Sequence, residues 1–82
     1  MIIVDISVPV IGKQYNFRLE ETAAIREILP EITEVICQKE GYADPGDIRS
    51  LELMFLDREV FMDKERSLSS YGVVNGSRLM LV

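Results

Sequence analysis

Cys37 is the one cysteine in 82 residues, and the chain contains no histidine. A thiolate nucleophile needs a base or a neighbouring positive charge to ionise, and the acidic residues around Cys37 oppose ionisation instead. The six serines at 7, 50, 67, 69, 70 and 77 face the same lack, since no imidazole is available to take their protons. Glu27, Glu31 and Glu34 recur at spacings that place them on one side of a helix. They could be imagined as an acid/base or metal cluster, but no further ligand is placed to complete such a site, so they read as a solvated helix face. Asp44 and Asp47, in "DPGD", lack the additional oxygen ligands of a calcium loop and read as turn chemistry. There is no glycine-rich phosphate loop and no cysteine spacing for zinc. We expect no enzyme, no cofactor and no metal.

The elements that carry these residues follow from periodicity. In "IIVDISVPV", Ile2, Val4, Ile6 and Val8 alternate with Ile3, Asp5 and Ser7, the pattern of a strand with one buried face that Pro9 ends. Gly12 and Lys13 supply a turn into "QYNFRL", where Tyr15, Phe17 and Leu19 alternate with Asn16 and Arg18, completing an antiparallel hairpin. Thr22 can cap a helix whose stripe is Ile25, Ile28, Leu29, Ile32, Val35 and Ile36, with Gly41 as its stop. Pro30 interrupts the run without shifting its phase. Because Pro30 lies off the stripe, the carbonyl it deprives of a donor, that of Arg26, faces water, and one kinked helix is expected. Cys37 falls about 100° from the edge of the stripe, so partial exposure is expected there.

"YADPGDIRS" reads as a loop. In "LELMFL", Leu51, Leu53 and Phe55 share one face while Glu52, Met54 and Leu56 share the other. A short strand near Val60 and Phe61 and a last strand, "RLMLV", with Leu79 and Leu81 inward, follow across the "NGS" turn. The sum is one α+β domain over residues 1–82, with one helix covering one face of a mixed sheet of four to five strands.

Length and charge bound what such a domain can do. A chain of 82 residues builds one core that removes about 60% of its unfolded surface from water. Fourteen acidic against nine basic residues give a net charge of −5, which repels nucleic-acid backbones. No segment approaches the ~20 apolar residues of a membrane span, and "MIIVDISV" lacks the organisation of a signal peptide. With a lone cysteine unable to form an internal disulfide, the expected location is the cytoplasm.

The stretch "QKEGYADPGDIRSLELMF" resembles the part of ubiquitin that reads KEG, a proline-containing loop and a strand with Leu, Ile and Phe. "RSLSSYGVVNGSRLMLV" resembles its Arg-Thr-Leu-Ser-Asp-Tyr run into the last strand, so that Arg66 to Val82 is the most specific part. The resemblance implies a ubiquitin-like β-grasp fold with Leu68, Tyr71 and Leu79 as core plugs. The helix proline, the "NG" turn and the ending in Met80, Leu81 and Val82 are most similar to the EsaB/YukD family of type VII secretion systems. The cytosolic domain of the EccD membrane component is a related case.

Ubiquitin-type modifiers and sulfur carriers work through a mobile diglycine tail, whereas Val82 is β-branched and reads as strand. We therefore expect no covalent transfer, the alternative being a modifier or carrier continued past Val82 to its diglycine. A face remains. Alternation places Ile3, Met54, Met80 and Val82 on the side of the sheet opposite the helix, and the fold implied by the resemblance would make them contiguous, with Val10 and Ile11 at the border. The resemblance puts Met54, Met80 and Val82 where ubiquitin-like proteins dock partners. The expected partner is a protein, a secretion-machinery component or a second copy of the chain. Methionines suit an adaptable surface of this kind, although small sheets also leave apolar side chains in water as a matter of course.

Overall fold

Strict alternation in the first twenty residues becomes a long hairpin in the computed structural model, which describes residues 1–41 and 51–82. Strand β1 spans Ile2–Val8 and β2 spans Lys13–Leu19, paired antiparallel from Ile2 opposite Leu19 to Val8 opposite Lys13. Lys13 thus belongs to the strand. The turn is a single 3-10 turn, Pro9–Ile11, begun by the proline and closed by Gly12 at φ 64°, whose N–H donates to the Pro9 carbonyl. Proline suits a first helical position because its missing N–H has no partner there anyway.

The helix α1, Ile25–Glu40, runs unbroken through Pro30, which is exposed. Three strands follow: β3 at Leu53–Phe55, β4 at Val60–Phe61 and β5 at Arg78–Leu81. The sheet order is β2-β1-β5-β3-β4, with β1 and β5 parallel in the centre and the other pairs antiparallel. One helix against a mixed sheet of five strands is the expected α+β class. The proposed loop over "YADPGDIRS", with Asp44 and Asp47, lies outside the described residues.

The core sits between α1 and the inner face of the sheet. Val4, Ile6 and Val8 face Ile25, Ile28, Ile32 and Ile36, and Leu53, Leu79 and Leu81 close the other side, all of them buried. Leu68 is also fully buried, as expected of a plug, while Tyr71 is half-buried beside it. The hydroxyl of Tyr71 accepts a 2.7 Å bond from the Asp63 amide, and the Arg66 guanidinium lies 4.1 Å from the ring centroid. Such a cation over an aromatic face contributes about 0.5–1 kcal/mol at an exposed site.

Two expectations for the helix need correction. Thr22 does not cap it: Ala24 occupies the cap position without a side-chain bond, and the Thr22 hydroxyl donates to Glu20 Oε1 at 3.0 Å. The first helical amides are met from elsewhere in the chain, Ile25 N–H by the Arg66 carbonyl and Arg26 N–H by that of Lys64, both at 2.9 Å. A side-chain cap is superfluous once main-chain acceptors occupy those donors. Cys37 is 4% exposed and belongs to the core. The buried stripe is wider than its aliphatic residues suggest, because Thr33 and then Cys37, four residues on, extend it on the side away from Val35.

Candidate functional site

The outer face of the sheet is assembled by register. Met54 on β3 lies opposite Met80 on β5 and opposite Phe61 on β4, so one row of outward side chains runs Met80, Met54, Phe61 across three strands. Directly opposed residues on antiparallel strands have Cβ atoms about 4.5–5.5 Å apart, close enough for the three to form one surface. Met54 and Met80 are half-buried, whereas Phe61 is 57% exposed. Val82 extends the surface along β5. Its backbone exchanges hydrogen bonds with Glu52 in both directions, which keeps the β3 and β5 register beyond the last strand residues.

Phe61 is the residue that sequence reasoning missed. A two-residue strand has too few positions for alternation to declare its faces, and only its pairing with Met54 turns Phe61 outward. Val10 is exposed on the 3-10 turn that leaves β1, and continuing the parallel register sets that turn beside Val82, the border position expected of it. Ile11 packs half-buried against the core and gives only part of its side chain to the rim.

Ile3 requires a correction. It faces outward and is 49% exposed, but Ser7 is the β1 residue beside Met80 and Asp5 the one beside Arg78. Four residues of strand separate Ile3 from Ser7, about 13 Å at 3.3 Å per residue. Ile3 instead meets the turn before β5: its N–H donates to Asn75 Oδ1 and its carbonyl accepts from Gly76, both at 2.8 Å. Alternation finds the face of a residue but cannot say which neighbour it has.

Charge frames the apolar row. Asp57, in the turn between β3 and β4, accepts from the Arg78 amide at 3.1 Å and from Arg78 Nε at 2.9 Å. The bond from the Arg78 amide first, and that from its side chain second, hold the Asp57 carboxyl below its usual value. At the other end Glu52 pairs with Lys64 at 3.5 Å. The Thr22 hydroxyl and then the Thr22 amide similarly hold Glu20 low, away from this face. Glu27, Glu31 and Glu34 are all exposed on the far side of α1. Among the described residues, no three His, Cys, Asp or Glu gather as a metal site, and no helix is long and apolar enough to cross a membrane.

No family model matches the chain, and no curated protein matches it. Solved structures do. The EccD5 ubiquitin-like domain from Mycobacterium xenopi is similar with a TM-score of 0.76 and 21% identity, over 99% of this chain and 91% of that one. The N-terminal ubiquitin-like domain of the 4931431F19Rik protein gives 0.73 and 22%, over 99% of this chain and 72% of that one. A ubiquitin-like domain of the Arabidopsis thaliana protein At2g32350 gives 0.72 and 20%, over 99% and 74%. The fold is therefore ubiquitin-like β-grasp. At these identities the likeness concerns the fold, and the face must speak for itself.

Proposed function

We propose that this chain is a non-catalytic, non-conjugated ubiquitin-like module that docks a protein partner through Met54, Phe61, Met80 and Val82. The observation that carries the reading is the continuous apolar row across β5, β3 and β4, made of two methionines and an exposed phenylalanine. Methionine adapts its shape to a partner at little strain, and a central aromatic supplies the concentrated burial typical of binding hot spots. The resemblance to EsaB/YukD supports a place in bacterial type VII secretion, as a cytoplasmic accessory or regulatory protein acting on secretion-machinery components.

A second reading has its own support. Similarity over 91% of the EccD5 ubiquitin-like domain fits a cytosolic domain of an EccD-type membrane component, docking through the same face. Whether the reading frame continues past Val82 into membrane-spanning segments separates the two. For the docking itself, the test is a native pull-down with the double variant Met54→Asp, Met80→Asp. The variant should keep its circular dichroism spectrum and lose the partner. Undiminished binding would refute this face.

A further inference from the structure

On the helix side of the sheet, α1 and the chain segment before Leu68 enclose an open concavity of about 310 Å³, lined by Arg26, Leu29, Pro30, Thr33 and Lys64, the last of which reaches the sheet's outer face through its pair with Glu52. From this geometry we infer a second binding site, which takes an acidic peptide segment presenting one apolar side chain. Three features of the lining argue for that occupant. Leu29 and the ring of Pro30 supply an apolar wall for the side chain. Arg26 and Lys64 supply two cations on the rim, each shared with one exposed glutamate of the chain rather than with a buried one.

The third feature is the proline. Pro30 has no N–H, so the carbonyl of Arg26, four residues earlier, lacks its regular helical donor on the wall that both residues form. A main-chain N–H of a bound peptide is a donor of the right kind for it. A free fatty acid or an inorganic anion would satisfy the cations but offer nothing to that carbonyl. The amides of Ile25 and Arg26 are already bonded to Arg66 and Lys64, so the helix N-terminus takes no part.

Both cations are held in the free protein by acidic neighbours, Arg26 Nε by Glu65 at 3.3 Å and Lys64 Nζ by Glu52 at 3.5 Å. All four side chains are about half exposed or more, and exposed pairs are weak. The peptide carboxylates exchange places with Glu65 and Glu52 at little cost, which makes the site modest in affinity and sensitive to salt.

The experiment is a titration of the ¹⁵N-labelled protein with the acetylated, amidated peptide Gly-Leu-Asp-Asp-Gly at low ionic strength, followed by amide chemical shifts. Saturable shifts are expected at Arg26, Leu29, Thr33 and Lys64, with a Kd on the order of 1 mM. The peptide with Asn in place of Asp, and the variant Arg26→Gln with Lys64→Gln, should each bind at least tenfold more weakly. The variant Glu52→Gln with Glu65→Gln, which frees the cations, should bind more tightly. Equal shifts with the Asn peptide, weaker binding when the cations are freed, or shifts confined to Met54, Phe61 and Met80 would each overturn the site. Shifts at Arg26, Leu29 and Thr33 on α1 report this site apart from Met54, Phe61 and Met80, so failure here leaves the docking face untouched.

Discussion

The two sides of strands β3 and β5 are built from similar residues and meet different surroundings. Leu53, Phe55, Leu79 and Leu81 point inward and are buried to within a few per cent, while Met54, Met80 and Val82, interleaved with them, point outward and keep contact with water. Inward positions carry γ-branched and aromatic side chains of defined shape, which suit a packed core. Outward positions carry two flexible thioethers, which suit an occupant that is not part of the chain. A single run of residues thus encodes a packed core face and the face proposed for docking, separated only by the pleat.

The sharpest way to break this contrast is truncation on each side. Leu79→Ala should lower unfolding free energy by about 2–5 kcal/mol, because it removes buried methyl groups and leaves a cavity. Met80→Ala should cost under about 1 kcal/mol. Urea denaturation measures both, and equal losses would mean that the outer row is structural. Within the outer face, Phe61→Asp should weaken partner binding by about tenfold or more, and Ile3→Asp by no more than about twofold. A larger loss at Ile3 would return that residue to the docking surface against its register.

Smaller effects test the turn that joins β3 to β4. Glu59 adopts φ 53°, ψ 45°, a left-handed conformation that costs an L-residue about 1–2 kcal/mol. Glu59→Gly relieves that strain and adds unfolded-chain entropy, so thermal unfolding should show a net gain of about 0.5–1 kcal/mol. Asp57 gives the smallest effect, visible in its pH dependence. A carboxyl held low in the folded state adds stability that is full above its unfolded value of about 3.8 and is lost as pH falls through the depressed folded value. The deficit of Asp57→Asn at neutral pH should therefore shrink in acid. A deficit constant from pH 7 to pH 2 would show that the Arg78 contacts do not depend on the charge.

Much of the fold is legible locally. Alternation sets the hairpin of β1 and β2 and the inward residues of β3 and β5, and the helical stripe survives Pro30 because the proline sits off it. What escapes local reading is decided by distant chain. Thr22 has the right side chain to cap α1, but the carbonyls of Lys64 and Arg66 reach the amides first. Ile3 has the right parity for the proposed docking face, yet its neighbours are set by pairing with residues more than seventy positions away. Phe61 lacked any signal except the partner across the sheet. Cys37 shows the converse error, a stripe drawn from aliphatic residues alone and so drawn too narrow.

The parallel contact between β1 and β5 bears on how the protein comes into being. In order of synthesis β5 follows every other strand of the sheet, yet it occupies the middle, with β1 on one side and β3 on the other. Until it emerges from the ribosome, the hairpin of β1 and β2 and that of β3 and β4 have no seam between them. Closing the sheet therefore depends on long-range pairing by its last strand, a topology that slows folding relative to one built from local contacts.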